Sequence, residues 1–202
     1  MPDLPVVAEP FPHAVVDGWW DEALLERVAS EFPAPDAPGW RRYANGNESK
    51  LEGPPTMWGQ GVRDLLDEVA ASIPDLERAF GIPDLSMETV GGGYHLIPPG
   101  GFLGVHTDFS RSPRTGLYRR LNLLVYLNGT WTDPGGRLQL WGDEMAADVA
   151  PEWNRTVVFA TSSRSWHGHP LPASRWRRSV AAYFYSPVAP EGFVEQSTVW
   201  RD

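Results

Sequence analysis

The chain has 202 residues, 42% hydrophobic and 21% charged, which suits one globular domain with a full-sized core and leaves little room for two. Its net charge of −9 opposes nucleic-acid phosphates, and zero cysteines exclude disulfides, thiolate metal sites and cysteine nucleophiles. No apolar run reaches the ~20 residues of a membrane span, and "MPDLPVVAEPFP" lacks a secretion-signal pattern, so a cytoplasmic protein with neither nucleic-acid nor membrane partners is expected.

From Asp21, "DEALLERVASEF" places Leu24, Leu25, Val28 and Phe32 at helical spacing, with acidic residues in its first turn and Pro33 as a stop. Residues 33–57 are rich in turn formers and predict a long irregular connection; with Trp40, Tyr43 and Trp58 it is a candidate lid, or else surface packing. A second helical zone runs from about Gln60 to Phe80, with Val62, Leu65, Leu66 and Val69 on one face, a break near Pro74 and an end at Gly81. From Ser86 the pattern changes to short β-favouring runs set apart by glycine, proline or asparagine. About eight such runs, with 20 Gly and 20 Pro in the chain, predict a mainly β (α+β) jelly roll or related barrel with helices on its outside. The expected organisation is a single domain over 1–202: a helical front (1–84), a β core (85–187) and a C-terminal tail (188–202).

On a strand, residues i and i+2 share a face, so His106 and Asp108 in "FLGVHTDF" present an imidazole and a carboxylate together. Alone, such a pair fits an ordinary hydrogen bond. A third ligand could come from "SWHGHP", through His167 or His169, to give two histidines and one carboxylate. That set suits a non-haem Fe(II) site with open positions, or a zinc site with a bound water. Arg177 follows ten positions after His167 (177 − 167), with Ser179 on the same strand face. A guanidinium facing a barrel interior is costly unless it grips an anion, which it does through paired hydrogen bonds.

The ordered set of "HTD", "WHGHP", the Arg177-x-Ser179 pair, "RRLNLLVYLN" and "PGGRLQLW" resembles the Fe(II)/2-oxoglutarate-dependent dioxygenases, in the branch that looks like prolyl 4-hydroxylases. The likeness covers about residues 85–187. It implies a double-stranded β-helix that binds Fe(II) through His106, Asp108 and His167, with 2-oxoglutarate and O2 as co-substrates. Arg177 would hold the distal carboxylate of 2-oxoglutarate, with Tyr126, Asn122 and Ser179 beside it. Two departures stand out: Asn122 occupies a position where relatives often carry a smaller hydroxyl residue, and Leu96 one where they commonly carry a cofactor-contacting tyrosine, for which Tyr94 could substitute. The ten-residue spacing to Arg177 favours His167 over His169 as ligand, which leaves His169 beside the ligands and near the substrate; His95 and His13 read as structural.

The resemblance implies hydroxylation of an unactivated C–H of an amino acid, a peptidyl residue or a small natural product, with release of succinate and CO2. The carboxylate at 108 matters here, because related halogenases carry a small residue there. In "FSRSPRTGLYRR", Arg111, Arg114, Arg119 and Arg120 are candidates for receiving an anionic group on a small-molecule or peptide substrate, or else form a solvated loop with internal ion pairs. The alternatives are a metal-dependent hydrolase and a non-catalytic β-barrel binding module on the same scaffold.

Overall fold

The structure, a computed structural model, describes residues 4–201. In chain order the elements are β1 (His13–Asp17), α1 (Glu22–Ser30), β2 (Arg41–Ala44), β3 (Ser49–Gly53), α2 (Gln60–Ala71), α3 (Ile73–Phe80), β4 (Ser86–Ile97), β5 (Leu103–Thr107) and β6 (Tyr118–Tyr126). There follow β7 (Leu138–Trp141), β8 (Met145–Val149), β9 (Arg155–Ala160), β10 (Trp166–His169), β11 (Arg177–Ser186) and β12 (Val199–Trp200). Among the described residues no helix is long and apolar enough to cross a membrane.

The helices form where their apolar spacing and caps direct them. The Asp21 side chain accepts from Leu24 N at 3.0 Å and starts α1, whose Leu24, Leu25 and Val28 are buried. In α2 the same role falls to Val62, Leu65, Leu66 and Val69. Ser72 separates α2 from α3, Pro74 sits in the first turn of α3, and Gly81 ends it in the left-handed region at φ 64°. The expected break and stop are both present.

The strands make two antiparallel sheets, one of seven in the order β1-β9-β6-β11-β4-β3-β2 and one of five in the order β12-β5-β10-β7-β8. Together they form the double-stranded β-helix. The helices cover the outer face of the larger sheet, where Leu25, Val28, Leu65 and Val69 pack with Leu121, Leu123, Val180 and Phe184 in the main core. Between the sheets, Phe11, Leu138, Leu140, Val157 and Phe159 fill one part of the interior with Tyr126. The remaining interior space is lined by both polar and apolar side chains.

Residues 33–57 differ from the irregular connection expected. Residues 41–53 form a hairpin, β2–β3, that adds two strands to the larger sheet beside β4. Its turn is set by Asn45, whose Oδ1 accepts from the backbone N–H groups of Asn47 and Glu48. Trp40 and Trp58 do not form a lid: their indoles donate to Ala34 O and Gly53 O, and both rings pack on the main core. The front is thus less purely helical than its pattern suggests, since β1 joins the larger sheet too. The tail also contributes, through β12 on the edge of β5.

Candidate active site

His106 lies on β5 and His167 on β10, and the two are direct partners across that antiparallel pair. Opposed residues project to the same face, so sheet register alone brings together side chains 61 positions apart (167 − 106). Their rings lie 4.4 Å apart, and Asp108, just past the end of β5, completes the group. Its Oδ1 is 3.8 Å from His106 Nε2 and its Oδ2 3.6 Å from His167 Nε2. One ligand atom from each of the three residues lies within 4.8 Å of the others.

Each imidazole is oriented from behind. His106 Nδ1 donates to Gly104 O at 2.9 Å and His167 Nδ1 to Ser165 O at 2.8 Å, which leaves both Nε2 lone pairs facing Asp108. Burial lowers the pKa of both rings, that of His167 to about 4, so they are neutral at pH 7. Burial works to raise the Asp108 pKa, but Arg119, then the two imidazoles and a hydrogen bond from Asn122, outweigh it and hold the carboxyl below its ordinary range. Two neutral imidazoles and a carboxylate, each already steered by a backbone or side-chain partner, are the donor set of a facial Fe(II) site.

A cavity of about 100 Å³ runs from this triad into the barrel, lined among others by His169, Arg177, Ser179, Ile97 and Leu124. Arg177 is 3% exposed, donates from Nε to Gly136 O at 2.7 Å and from NH2 to the Tyr126 hydroxyl at 3.1 Å, and lies over the Tyr126 ring. Among the described residues no carboxylate lies in ion-pair range of it. Burial lowers its pKa, as expected of a cation without a counter-ion. Nearby, His169 Nδ1 is buried with no hydrogen-bond partner, and burial, then Arg177, pushes its pKa well down. An unpaired guanidinium and an unsatisfied imidazole at the closed end fit the distal carboxylate of 2-oxoglutarate.

Several expected residues sit elsewhere. Tyr94 does not face the cavity: Arg177 pairs with Ile97 and Ser179 with His95, so the parity of β4 turns His95 and Ile97 inward and sends Tyr94 and Leu96 toward the helices. Tyr94 packs on Phe32 at 4.6 Å. Asn122 faces inward but serves the metal end, donating from Nδ2 to Asp108 Oδ2 at 2.8 Å. Of the loop arginines, Arg111 is tied to Glu195 and stacked on Tyr118, and Arg120 donates to Val188 O on the outside. Neither lines the cavity. Arg119, buried, does line it, and Arg114, largely exposed, lies farther out at its mouth.

The cavity opens into a mouth of about 480 Å³. The β2–β3 hairpin and its turn supply Glu48, Lys50 and Glu52, and the tail supplies Thr198 and Trp200, whose ring lies 4.9 Å from that of His106. Glu88 is buried and accepts from Ser112 Oγ and Thr115 Oγ1, which pins the arginine loop at the rim. Sequence reasoning missed His95, Lys50, Glu52, Tyr183 and Trp200, since only strand pairing brings them here.

Residues 92–185, which hold the triad, Tyr126 and Arg177, match the sequence profile of the 2OG-Fe(II) oxygenase superfamily. That stretch, a little under half of the chain, is similar to the superfamily's shared core. The matched family implies Fe(II), 2-oxoglutarate and O2 as cofactors, and the His106, Asp108 and His167 set is a candidate iron site. The chain's fold is shared with a Pseudomonas putida prolyl-4-hydroxylase at a TM-score of 0.68 and 22% identity, over 86% of this chain and 92% of that one. A Trichoplax adhaerens prolyl hydroxylase, solved in complex with a hypoxia inducible factor oxygen degradation domain peptide fragment, also gives 0.68, at 16% identity over 86% and 83% of the two chains. A 2OG-Fe(II) oxygenase family oxidoreductase from Burkholderia pseudomallei gives 0.58 at 16% identity, over 88% and 85%. No curated protein matches the sequence.

Proposed function

We propose that this chain is an oxygenase that hydroxylates an unactivated C–H of an amino acid, a peptidyl residue or a small natural product, and that the substrate carries a charged group. The observation that carries this reading is the meeting of His106, Asp108 and His167 at one point, with the unpaired Arg177 deeper in the same cavity. When bound, the iron and 2-oxoglutarate together supply the oxidising power, with succinate and CO2 as by-products. The chain's own residues bind and orient. Arg177 and the Tyr126 hydroxyl anchor the distal carboxylate, with Ser179 and His169 beside it, and Leu124, Leu138 and Phe159 line the same cavity with apolar surface that excludes water.

The mouth supports a charged substrate. Glu48, Lys50, Glu52, Arg114 and Arg119 all line it, each within ion-pair reach of another side chain, and a charged substrate group can take the place of one of those partners. Arg114, largely exposed and 3.7 Å from Glu88, is the member positioned to receive a substrate anion, and likeness in fold to prolyl hydroxylases does not make proline the target.

Two measurements test the reading. Anaerobic addition of 2-oxoglutarate to the Fe(II)-loaded protein is expected to give a weak visible charge-transfer band; its absence would leave a hydrolase or a binding module as the better reading. Succinate release is then followed across free amino acids, short peptides and charged metabolites. The substrate is the compound that strongly stimulates it, and stimulation by neutral compounds alone would remove the charged-substrate clause.

A further inference from the structure

Asn122 is a polar residue in the apolar run of β6, only 3% exposed, and both ends of its amide are engaged. Its Oδ1 accepts from Arg119 Nε at 3.0 Å and its Nδ2 donates to Asp108 Oδ2 at 2.8 Å. An arginine only donates and an ionised carboxylate only accepts, so the amide has one permitted orientation. Arg119 is fixed in turn, buried over the Tyr183 ring at 4.1 Å and the Phe109 ring at 4.7 Å, with NH2 3.3 Å from the same Asp108 oxygen. One oxygen of Asp108 thus meets an amide and a guanidinium. The other, Oδ1, accepts no hydrogen bond from the described residues and lies 3.8 Å from His106 Nε2.

We propose that Asn122, braced by Arg119, is a positioning residue: it reserves Asp108 Oδ2 for hydrogen bonding and so confines the carboxylate to ligation of the metal through its single remaining oxygen. Carboxylates bind cations through one oxygen or two, and a second oxygen on the iron would take a place that the co-substrate needs. The inference rests on the oxygenase reading for the identity of the metal and extends it to how the ligand set is kept open. Asn122 is the better placed of the two donors, because its contact has hydrogen-bond geometry while that of Arg119 is a longer ion pair.

The test uses Co(II) as a visible probe and 2-oxoglutarate as ligand, on the full chain and on Asn122→Leu, Asn122→Ala and Asn122→Thr. In the leucine variant the Co(II) absorption band is expected to change in position or intensity, and 2-oxoglutarate to bind the Co(II) form roughly 10- to 100-fold more weakly, the range seen when a ligand-orienting partner is lost. Threonine keeps a hydroxyl donor and is expected to fall between. Should leucine prevent folding, alanine carries the same expectation. A Co(II) band and a 2-oxoglutarate affinity both at wild-type values would overturn the proposal, as would a variant that loses only thermal stability. If the wild-type Co(II) protein itself fails to take 2-oxoglutarate, the proposed function fails instead, and the Co(II) bands still decide the role of Asn122.

Discussion

Replacing Arg177 with methionine separates a guanidinium held for a ligand from one held for the fold. Its side chain makes two hydrogen bonds, to Gly136 O and the Tyr126 hydroxyl, and lies 4.8 Å from the Tyr126 ring centre, but it has no acidic partner among the described residues. Burying a charge costs several kcal/mol per ion, only partly returned by such neutral contacts. Methionine has a similar reach and removes that cost but leaves Gly136 O and the Tyr126 hydroxyl without this partner, at ~1–3 kcal/mol each, so the two effects offset and the metal-free chain is expected to melt near the wild-type temperature. The co-substrate responds differently. Two hydrogen bonds to a carboxylate are worth ~1.5–3 kcal/mol each, so ~3–4 kcal/mol is lost once the surviving Tyr126 hydroxyl is allowed for. At 1.4 kcal/mol per tenfold, 2-oxoglutarate binding is expected to weaken roughly 100- to 1,000-fold. Calorimetry with the Mn(II)-loaded protein reads the affinity, and thermal denaturation of the metal-free chain reads the stability. Wild-type affinity in the variant, or a large loss of stability without a loss of affinity, would refute the reasoning.

Asp108→Ala removes the sole anionic ligand, and Co(II) affinity measured by absorbance is expected to fall by more than the roughly 100-fold that loss of a supporting residue can cause. Leu65 is fully buried in the main core, and Leu65→Ala is expected to cost ~2–5 kcal/mol, read as a lower denaturant midpoint at unchanged slope. Burial, then Lys50, lowers the His95 pKa from 6.5 to about 4. The unfolded chain therefore takes up a proton first, so the stability of the metal-free chain is complete above pH 6.5 and declines as the pH falls toward 4. His95→Gln is expected to flatten that decline in denaturation curves measured across this range, and an unchanged slope would remove His95 as a contributor.

The metal strand was legible because its chemistry follows period-2 geometry: His106 and Asp108 had to share a face, and Arg177 and Ser179 likewise. The helices were legible because Pro33, Pro74 and Gly81 punctuate a strong apolar stripe. Tyr94 was misplaced because pairing, not the strand's own pattern, decides which of Tyr94 and His95 faces inward. β4 also breaks its register at Gly91 and Gly93, both at positive φ, where a Cβ on Gly93 would meet the Trp58 ring at 2.4 Å. The β2–β3 hairpin was missed for a different reason: Arg41, Arg42 and Ala44 on the edge strand are exposed, so no apolar alternation marks it. Asn122 was placed on the correct face, but which end of the cavity it serves depends on where the Arg119 side chain lies, and no spacing rule encodes that.

The two flanks of the entrance, the β2–β3 hairpin and the β12 tail, both come from outside the stretch that carries the iron ligands and the co-substrate anchor. Two borders of the entrance are thereby encoded apart from the iron ligands, while the third, the loop that carries Arg114, follows directly on the metal strand. Exchanging residues 41–53 or 190–201 could retarget this catalyst to new molecules while its oxidative machinery stays as it is.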